Sequence, residues 1–320
     1  MSKKAIITLS IVIALIAAIL ISFWTLFALS TVKVDFKTTT KNLTITSEEI
    51  VDAGKFNYGA SVLFDGKNKY IDNINSKIQE NENFAYLEVV NIETVFPNKY
   101  VIHVAEREEV FAINLQDKYL ICDDDLRILR IENEFQNDRE NPILLEGLNV
   151  LNDECKIGDF LLVEQNGVKN IYNALLANNR NLTESRGFIK SLTLSKNHVE
   201  ITDKEYDSIT LTTFQDRTYV INNIDFALEN KFQLMFALDS SIYKQINSEG
   251  KLVDANGNVV CDYVYDDEGN IMYGEDGQPL KGKEWTYERL CNGYILIDNY
   301  ILNDYQETKP TDIYYNLRDF

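Results

Sequence analysis

The run AIITLSIVIALIAAILISFWTLFALSTV, residues 5–32, contains no charged side chain and directly follows Lys3 and Lys4. At the helical rise of 1.5 Å per residue it extends about 42 Å, more than the hydrocarbon core of a bilayer, about 30 Å. Because the two lysines are the only charges before the run, the positive-inside rule places the N-terminus in the cytoplasm. The sequence therefore predicts a cytoplasmic segment at 1–4 and a single transmembrane helix at 5–32, with the remaining residues outside the cytoplasm.

A cleaved signal peptide is the alternative interpretation of this run. Ala28 and Ser30 are small residues of the kind found at a cleavage site. The apolar part of a signal peptide is about 7–15 residues long, however, and this run is about twice that length. The pattern favours a retained anchor.

The remaining composition is acidic and rich in aromatic residues. The formal net charge is −19 over 320 residues, with 18 Tyr, 16 Phe and 4 Pro. A nucleic-acid partner requires a basic surface, so this charge predicts no nucleic-acid binding. Cys122, Cys155, Cys261 and Cys291 form no CxxC motif. They indicate either a disulfide formed outside the cytoplasm or isolated buried thiols.

The residues after the run alternate in hydrophobicity and then change to helical spacing. Val32, Val34 and Phe36 predict a strand, and Thr46 with Glu49 has the spacing of a capping box at the start of a short helix. A second helix is predicted at about 67–79, followed by two strands around Val90–Ile92 and Tyr100–Val104. The predicted order is β-α-α-β-β, in which two helices cover one face of a small sheet.

The next part is rich in short strands. Strands are predicted at 110–113, 119–122, 126–129, 188–194, 198–202, 208–213 and 218–222, and helices at 159–178 and 225–242. The fold class is therefore α+β. From Asn247 onward, Glu249-Gly250, Asn256-Gly257, Glu268-Gly269 and Asp276-Gly277 predict a series of hairpin turns. Asp254–Asn258 has some calcium-loop character but lacks the glycine and the glutamate at the sixth and twelfth positions, so a turn is favoured.

Sequence motifs for catalysis are absent. The only histidines, His103 and His198, are 95 residues apart, and no GxSxG, HExxH, P-loop or GxGxxG motif occurs. Asp123, Asp124 and Asp125 form the densest carboxylate cluster, which is more typical of a solvated turn than of a glycosidase pair. We predict a protein that is not an enzyme and has no cofactor, metal or small-molecule substrate.

Four stretches resemble the FtsQ/DivIB family of bacterial cell-division proteins. Val104–Ala112, VAEREEVFA, is similar to the family's V-x-E-R-x-P-V-A stretch, with Glu106, Arg107, Val110 and Ala112 in register and Glu109 in place of proline. The strand–Asp turn–strand at 119–129 lacks the family's glycine, the segment 141–147 resembles its P-x-x-x-G motif, and Lys231-Phe232 lies in a helix like its K-L-x-x-L helix. The resemblance covers residues 34 to about 260.

The resemblance implies a POTRA domain at 33–106 and a β domain at 107–246, followed by an acidic extension at 247–320. It implies a divisome scaffold at the division septum that binds partners of the FtsL and FtsB/DivIC type and influences the septal transpeptidase/glycosyltransferase complex. The partner-binding edge would lie after the helix ending near Ile242, at Lys251, Leu252, Val253, Val259 and Val260. The alternatives are a membrane-anchored cell-wall hydrolase and a POTRA-type assembly factor.

Overall fold

The computed structural model describes residues 3–37, 42–152, 154–164, 167–178, 187–199, 204–266, 270–299 and 313–319. The chain forms two compact units. The first comprises Met1–Glu109, Leu126–Ile131 and Glu154–Leu161, and the second comprises Val110–Asp125, Glu132–Asp153 and Leu162–Phe320. The two segments at 126–131 and 154–161 return to the first unit from within the sequence of the second.

The described elements give a mixed α+β fold, as predicted. The helices are α1 (Lys3–Leu26), α2 (Ser47–Gly54), α3 (Asn68–Ser76), α4 (Val168–Ala177), α5 (Leu228–Ile242) and α6 (Tyr287–Asn292). The strands are β1 (Thr31–Phe36), β2 (Leu87–Val95), β3 (Lys99–Glu106), β4 (Phe111–Leu115), β5 (Lys118–Cys122), β6 (Ile128–Glu132), β7 (Ile143–Glu146), β8 (Ile189–Val199), β9 (Lys204–Thr213), β10 (Thr218–Ile221), β11 (Cys261–Tyr263), β12 (Lys281–Glu284), β13 (Gly293–Asn299) and β14 (Ile313–Asp319). Short 3₁₀ turns occur at Lys77–Gln79, Glu82–Tyr86 and Tyr243–Gln245.

Helix α1 begins at Lys3 and ends at Leu26, so the predicted helix at 5–32 is six residues too long at its C-terminal end. It ends there because the next backbone groups bond to the first unit instead of continuing the helix. Leu29 N–H donates to the Ala60 carbonyl at 2.7 Å, and the Phe27 carbonyl accepts from Val62 N–H at 2.9 Å. Within the residues that the structure describes, no helix has both the length and the apolarity needed to cross a membrane.

The first unit contains the β1–α2–α3–β2–β3 order that the sequence predicted. Its sheet has the order β1-β3-β2, with β1 parallel to β3 and β2 antiparallel to it. The buried side chains Ile50, Tyr70, Ile74, Tyr100 and Ile102 belong to one core between the two helices and the sheet. An apolar helix face covering a half-buried sheet is the arrangement that the hydrophobic pattern required.

The capping box at the start of α2 is present as predicted. The Thr46 hydroxyl accepts from Glu49 N–H at 3.2 Å, and the Glu49 carboxylate accepts from Thr46 N–H at 2.7 Å. The carboxylate therefore bonds to the helix N-terminus, and these hydrogen bonds lower the pKa of Glu49. Both partners satisfy backbone N–H groups that have no acceptor within the helix.

Replacing Thr46 by alanine is expected to destabilise the first unit by about 1 kcal/mol, because an N–H group at the helix start loses its acceptor. Chemical denaturation followed by far-UV circular dichroism measures the change. The matched control is Ser47→Ala, which removes a hydroxyl one residue further along the same helix. Equal destabilisation by the two variants would contradict the assigned role of the cap.

In the second unit, strands follow one another in the order β14-β13-β10-β9-β8-β7-β4-β5. The pairs β4–β7, β7–β8 and β10–β13 are parallel, and the others are antiparallel. Helices α4 and α5 pack against each other. The extension predicted at 247–320 thus supplies β13 and β14 to this sheet.

The helix predicted at 159–178 is wrong over its first part, because α4 begins only at Val168. Residues around 160 instead pair in extended form, since Phe160 bridges Arg127 and Leu161 N–H donates to the Leu126 carbonyl. Tertiary pairing overrides the local helical spacing there. Of the strand predicted at 198–202, residues 200–202 lie outside the described residues, as does the predicted turn at Glu268-Gly269.

Glycine is required at position 147, the last residue of the segment 141–147, for steric reasons. Gly147 has φ +78, and a Cβ atom there would lie 2.0 Å from the Leu194 carbonyl oxygen. Because L side chains rarely adopt this φ and the space is filled by backbone, only glycine fits between β7 and β8.

Candidate partner-binding surface

A groove of about 920 Å³ lies in the second unit beside strand β14. One wall consists of Tyr315, Asn316, Leu317, Arg318 and Asp319 of β14. The opposite wall belongs to residues 246–286, which we call the hairpin segment. Its contributions include Leu252, Val260, Tyr263, Tyr265 and Trp285. The groove therefore combines a sheet edge with an aromatic wall.

The hairpin segment is built from short strands and repeated tight turns. In four turns the first residue donates its backbone N–H group to the carbonyl of the residue four positions later. These first residues are Asn247, Asp254, Asp266 and Gly274. Gly250, Gly257 and Gly277 occupy positive φ in three of these turns, which requires glycine or a similarly tolerant residue. The turns that the sequence predicted at these three glycines are present.

Two rings of backbone hydrogen bonds hold the hairpin segment together. The Leu252 N–H group donates to the Trp285 carbonyl at 2.8 Å, and the Trp285 N–H group donates to the Val260 carbonyl at 2.9 Å. The Val260 N–H group closes the ring by donating to the Leu252 carbonyl at 2.9 Å. Val264, Leu280 and Met272 repeat the same cycle at 2.8–3.0 Å. Leu252 and Trp285 are buried in the first ring. The cyclic pattern uses backbone groups internally, so these residues do not present a free strand edge.

Arg289 of α6 joins the hairpin segment to β14. Its guanidinium bonds to both carboxylate oxygens of Asp319, at 2.8 and 2.7 Å, and to Asp262. It stacks on the Trp285 ring at 3.9 Å from the centroid, while Trp285 Nε1 donates to Asp262 at 2.7 Å. The guanidinium lowers the pKa of Asp319, and the carboxylates raise the pKa of Arg289. One side chain therefore fixes both walls of the groove.

Strand β14 is the terminal strand of its sheet among the described strands. It pairs with β13 on one side through seven residue pairs, Gly293↔Asp319 to Asn299↔Ile313. Terminal strands present backbone N–H and C=O groups to which another extended chain can add. Tyr315 on this strand is 45% exposed.

The five residues predicted to form the partner-binding edge lie together in the hairpin segment. Lys251 bridges Thr286, and Val253 bridges Val259. Val253 N–H donates to the Gln245 carbonyl at 2.9 Å, so this stretch is paired within the chain. Leu252 and Val260 line the groove beside β14. The predicted residues thus form part of its wall.

The predicted junction motif divides between the two units. Glu106 accepts from Asn42 N–H at 2.6 Å, and Arg107 N–H donates to the Tyr86 carbonyl at 2.8 Å, both in the first unit. Val110 and Ala112 are buried in the second unit. Val110 N–H donates to Cys122, and Ala112 pairs with Ile121 and Leu144.

Glu109 is a structural residue that the sequence interpretation missed. Its carboxylate accepts from Arg130 Nε at 2.7 Å and from the Tyr86 hydroxyl at 2.6 Å, in a largely buried site of the first unit. The pKa of Tyr86 is raised, first by burial and then by this carboxylate. The one available signal was the glutamate at a position where the resembling family has proline.

His103 and Asp123, which the sequence offered as residues for catalysis, make hydrogen bonds within a sheet and a turn. His103 lies between two carboxylates, with Nδ1 2.8 Å from Asp35 and Nε2 2.9 Å from Glu93 across the three-stranded sheet. His198 lies in β8, but its side chain is outside the described part of the chain. The Asp123 carboxylate accepts from Asp125 N–H at 3.0 Å within a turn, and burial with neighbouring carboxylates raises the pKa of Asp124.

Asp254 is an acid of the groove that accepts hydrogen bonds within its own turn. Asp254 accepts from the backbone N–H groups of Asn256 and Asn258, each at 2.8 Å. Hydrogen bonds from Asn258 lower the pKa of Asp254. Within the described residues no cluster of three or more His, Cys, Asp or Glu side chains has metal-site geometry. Through its hydrogen bonds to Asn256 and Asn258, Asp254 stabilises the turn at 254–258.

Two curated relatives match part of this chain. The cell division protein DivIB of Clostridium acetobutylicum is 33% identical over 117 residues, which is 37% of this chain and 43% of that protein. The cell division protein DivIB of Clostridium botulinum is 30% identical over 141 residues, 43% of this chain and 51% of that protein. Over these parts the chain is similar to both DivIB proteins. The FtsQ/DivIB resemblance predicted from the sequence is thereby confirmed.

The similarity is limited in extent. The matched part of the chain spans about half the length of these relatives or less. No family model matches the chain.

Proposed function

We propose that this chain is a membrane-anchored scaffold of the cell-division machinery, which binds partner proteins at the edge of β14. The observation that carries the proposal is the terminal strand β14 lying along a groove whose two walls are joined by Arg289. In this proposal the first unit is the POTRA domain and the second contains the β domain. Both domains lie outside the cytoplasm at the division septum.

The proposed anchor is the uncharged run 5–32, whose first 22 residues lie in α1. Every described side chain from Ser10 to Leu26 is exposed, and none is charged. Apolar side chains such as Ile19 and Leu20 are therefore not covered by any of the described residues, and lipid is the environment that accepts a run of exposed apolar side chains. Lys3 and Lys4 support a cytoplasmic N-terminus.

The proposed partners are proteins of the FtsL and FtsB/DivIC type, through which the chain influences the septal transpeptidase/glycosyltransferase complex. An extended partner segment adding to β14 gains backbone hydrogen bonds, while its alternate side chains enter the groove. Tyr315 and Leu317 offer apolar contact, and Leu252 and Val260 lie in the opposite wall. The backbone of β14 then supplies affinity, and the side chains that line the groove supply selectivity.

The groove supports binding better than hydrolysis. A wall hydrolase requires one carboxylic acid whose pKa is raised so that it can donate a proton. In the groove, the pKa values of Asp254 and Asp319 are lowered by hydrogen bonds from Asn258 and Arg289. Asp254 is thus used within a turn and Asp319 in the contact with Arg289, and neither has the raised pKa of a proton donor.

Tyr315→Glu is expected to abolish partner binding, because it places a charge on the groove-facing edge without removing a buried side chain. We expect a loss of more than about tenfold in affinity for the partner ectodomains, equivalent to about 1.4 kcal/mol. Copurification from cells measures binding, and septal imaging after depletion of the native protein measures function. Cells that carry only this variant should form long undivided filaments.

The matched control is Leu151→Glu, which introduces the same charge at another exposed apolar residue of the second unit. It should restore division and copurify the partners as the unchanged chain does. If depletion of the chain leaves division unaffected, the scaffold proposal fails. If depletion blocks division but Tyr315→Glu restores it, the binding surface has been assigned to the wrong strand.

A further inference from the structure

Three exposed aromatic side chains lie in two loops of the first unit that bond to the residues following α1. Phe64 is 77% exposed, Phe96 62% and Tyr58 54%. Leu63 beside them is also exposed. We call these four residues the collar. A group of large exposed rings on one small unit indicates a surface that is covered in the working protein.

The collar is fixed to the end of α1 by backbone hydrogen bonds. The loop carrying Tyr58 and Phe64 is joined through Gly59 N–H to the Leu29 carbonyl at 3.0 Å and through Ala28, which bridges Ser61. The turn carrying Phe96 is joined through Ser30 N–H to the Asn98 carbonyl at 2.9 Å. Both loops therefore keep their positions relative to residues 27–30.

Aromatic contacts continue from the helix into the collar. Phe23 and Phe27 lie 4.7 Å apart between ring centroids, and Phe27 meets Phe96 edge-on at 6.1 Å. The exposed apolar surface of α1 thus passes into the collar without a polar break along these rings. A surface continuous with a lipid-facing helix is expected to meet the same lipid.

The charged residues next to the collar in the sequence are compatible with contact between the collar and lipid. Asp65, which follows Phe64, is paired with Lys69 and bonded to the Tyr70 hydroxyl. Lys99 follows Phe96 by three residues in the chain. Aromatic rings flanked by lysines are typical of the layer between the hydrocarbon core and water.

We propose that the collar is seated in the interfacial layer of the bilayer in which the uncharged run 5–32 is anchored, so that the first unit is held against the membrane. This inference rests on the proposed membrane anchor and extends it. In this proposal the far end of the three-stranded sheet points away from the membrane. The pair Thr31 and Lys99 lies at the end near α1, and the pair Phe36 and Val104 lies at the far end. Five residue steps separate these ends, about 17 Å of strand.

The test places tryptophan reporters in the full chain reconstituted in phosphatidylcholine vesicles. Phe64→Trp and Phe96→Trp are each combined with Trp24→Phe, leaving the buried Trp285 as a constant background. The control is Val90→Trp, at an exposed apolar residue of β2 away from the collar. Lipids brominated on the acyl chain quench tryptophan by contact.

Emission from the reporters at 64 and 96 is expected to shift to shorter wavelength and to fall about twofold in brominated vesicles, as interfacial tryptophan does. The control reporter should not change. If the reporters at 64 and 96 behave like the control while Trp24 of the unmodified chain is quenched, the collar proposal is overturned and the anchor stands. If the reporters shift to shorter wavelength only at high protein density and are not quenched by brominated lipid, a second copy of the chain covers the collar, which also overturns the proposal.

Failure of the anchor gives a different result. In that case the unmodified chain is not retained by the vesicles after alkaline washing, and Trp24 is not quenched. That outcome overturns both the anchor and the collar proposals. The quenching of Trp24 distinguishes it from failure of the collar alone, in which Trp24 is still quenched.

Discussion

Arg289→Ala is expected to destabilise the second unit by about 2–4 kcal/mol and to separate the hairpin segment from β14. The guanidinium holds Asp262 and Asp319, and it donates to the carbonyls of Lys283 and Glu284 at 3.1 and 3.3 Å. Its side chain is 15% exposed, so removal leaves partly buried acceptors without a donor. Asp319 is more exposed, and water replaces part of that interaction. Most of the loss therefore comes from Asp262, the two carbonyls and the stack on Trp285.

The fluorescence of Trp285 measures this change directly. In a Trp24→Phe background it is the only tryptophan, and it is buried in the hairpin segment. Urea denaturation should show a lower midpoint for Arg289→Ala and an intermediate one for Arg289→Lys, which keeps the charge but loses the planar fork. The control is Arg318→Ala, which removes the same charge from an exposed position on β14. Equal midpoints for Arg289→Ala and Arg318→Ala would show that Arg289 does not join the two walls.

Local sequence patterns predicted the first unit well, because its structure follows from near neighbours in the chain. The capping box at Thr46 and Glu49, the helical spacing of Tyr70 and Ile74, and the alternation along β3 each encode one local element. Together these elements can bury their apolar faces in only a few arrangements. The end of α1 was harder to predict, because residues 27–30 are as uncharged as the helix itself. Hydrogen bonds to residues 60–62 and 98 decide where that helix stops.

The candidate site could not be predicted from local patterns, because it depends on pairing between distant residues. Asp262, Arg289 and Asp319 are ordinary charged residues in the sequence, and only the fold brings them together. The residues that the resemblance assigns to the partner-binding edge, near Lys251, depend on distant pairing as well. The ring through Leu252, Val260 and Trp285 joins backbone groups that are up to 33 residues apart in the sequence.

Lys231 should make the stability of the second unit depend on pH in the alkaline range. Its side chain is fully buried in α5, and Nζ donates to the carbonyls of Asn222 and Asn223, each at 2.7 Å. Burial lowers the pKa of Lys231 from 10.5 to about 8, and the nearby carboxylates of Asp298 and Asp225 oppose this shift. Between these two values the unfolded chain binds more protons than the folded chain. The free energy of unfolding therefore rises as the pH increases from about 8 to about 10.5, by up to about 3 kcal/mol.

The variant that isolates this effect is Lys231→Met, which fills similar volume without a titrating group. At pH 7 it is expected to be less stable than the unchanged chain, by about 1–3 kcal/mol, because the Asn222 and Asn223 carbonyls lose their donor. The difference in unfolding free energy between the two proteins should then change with pH in the predicted window. The effect of tyrosine ionisation on both proteins cancels in that difference. Urea denaturation at pH 7, 8, 9 and 10 measures it, with Lys190→Met, at an exposed lysine of β8, as the control. A difference that stays constant from pH 8 to pH 10 would show that Lys231 titrates alike in the folded and unfolded chains, and that its burial carries no protonation cost.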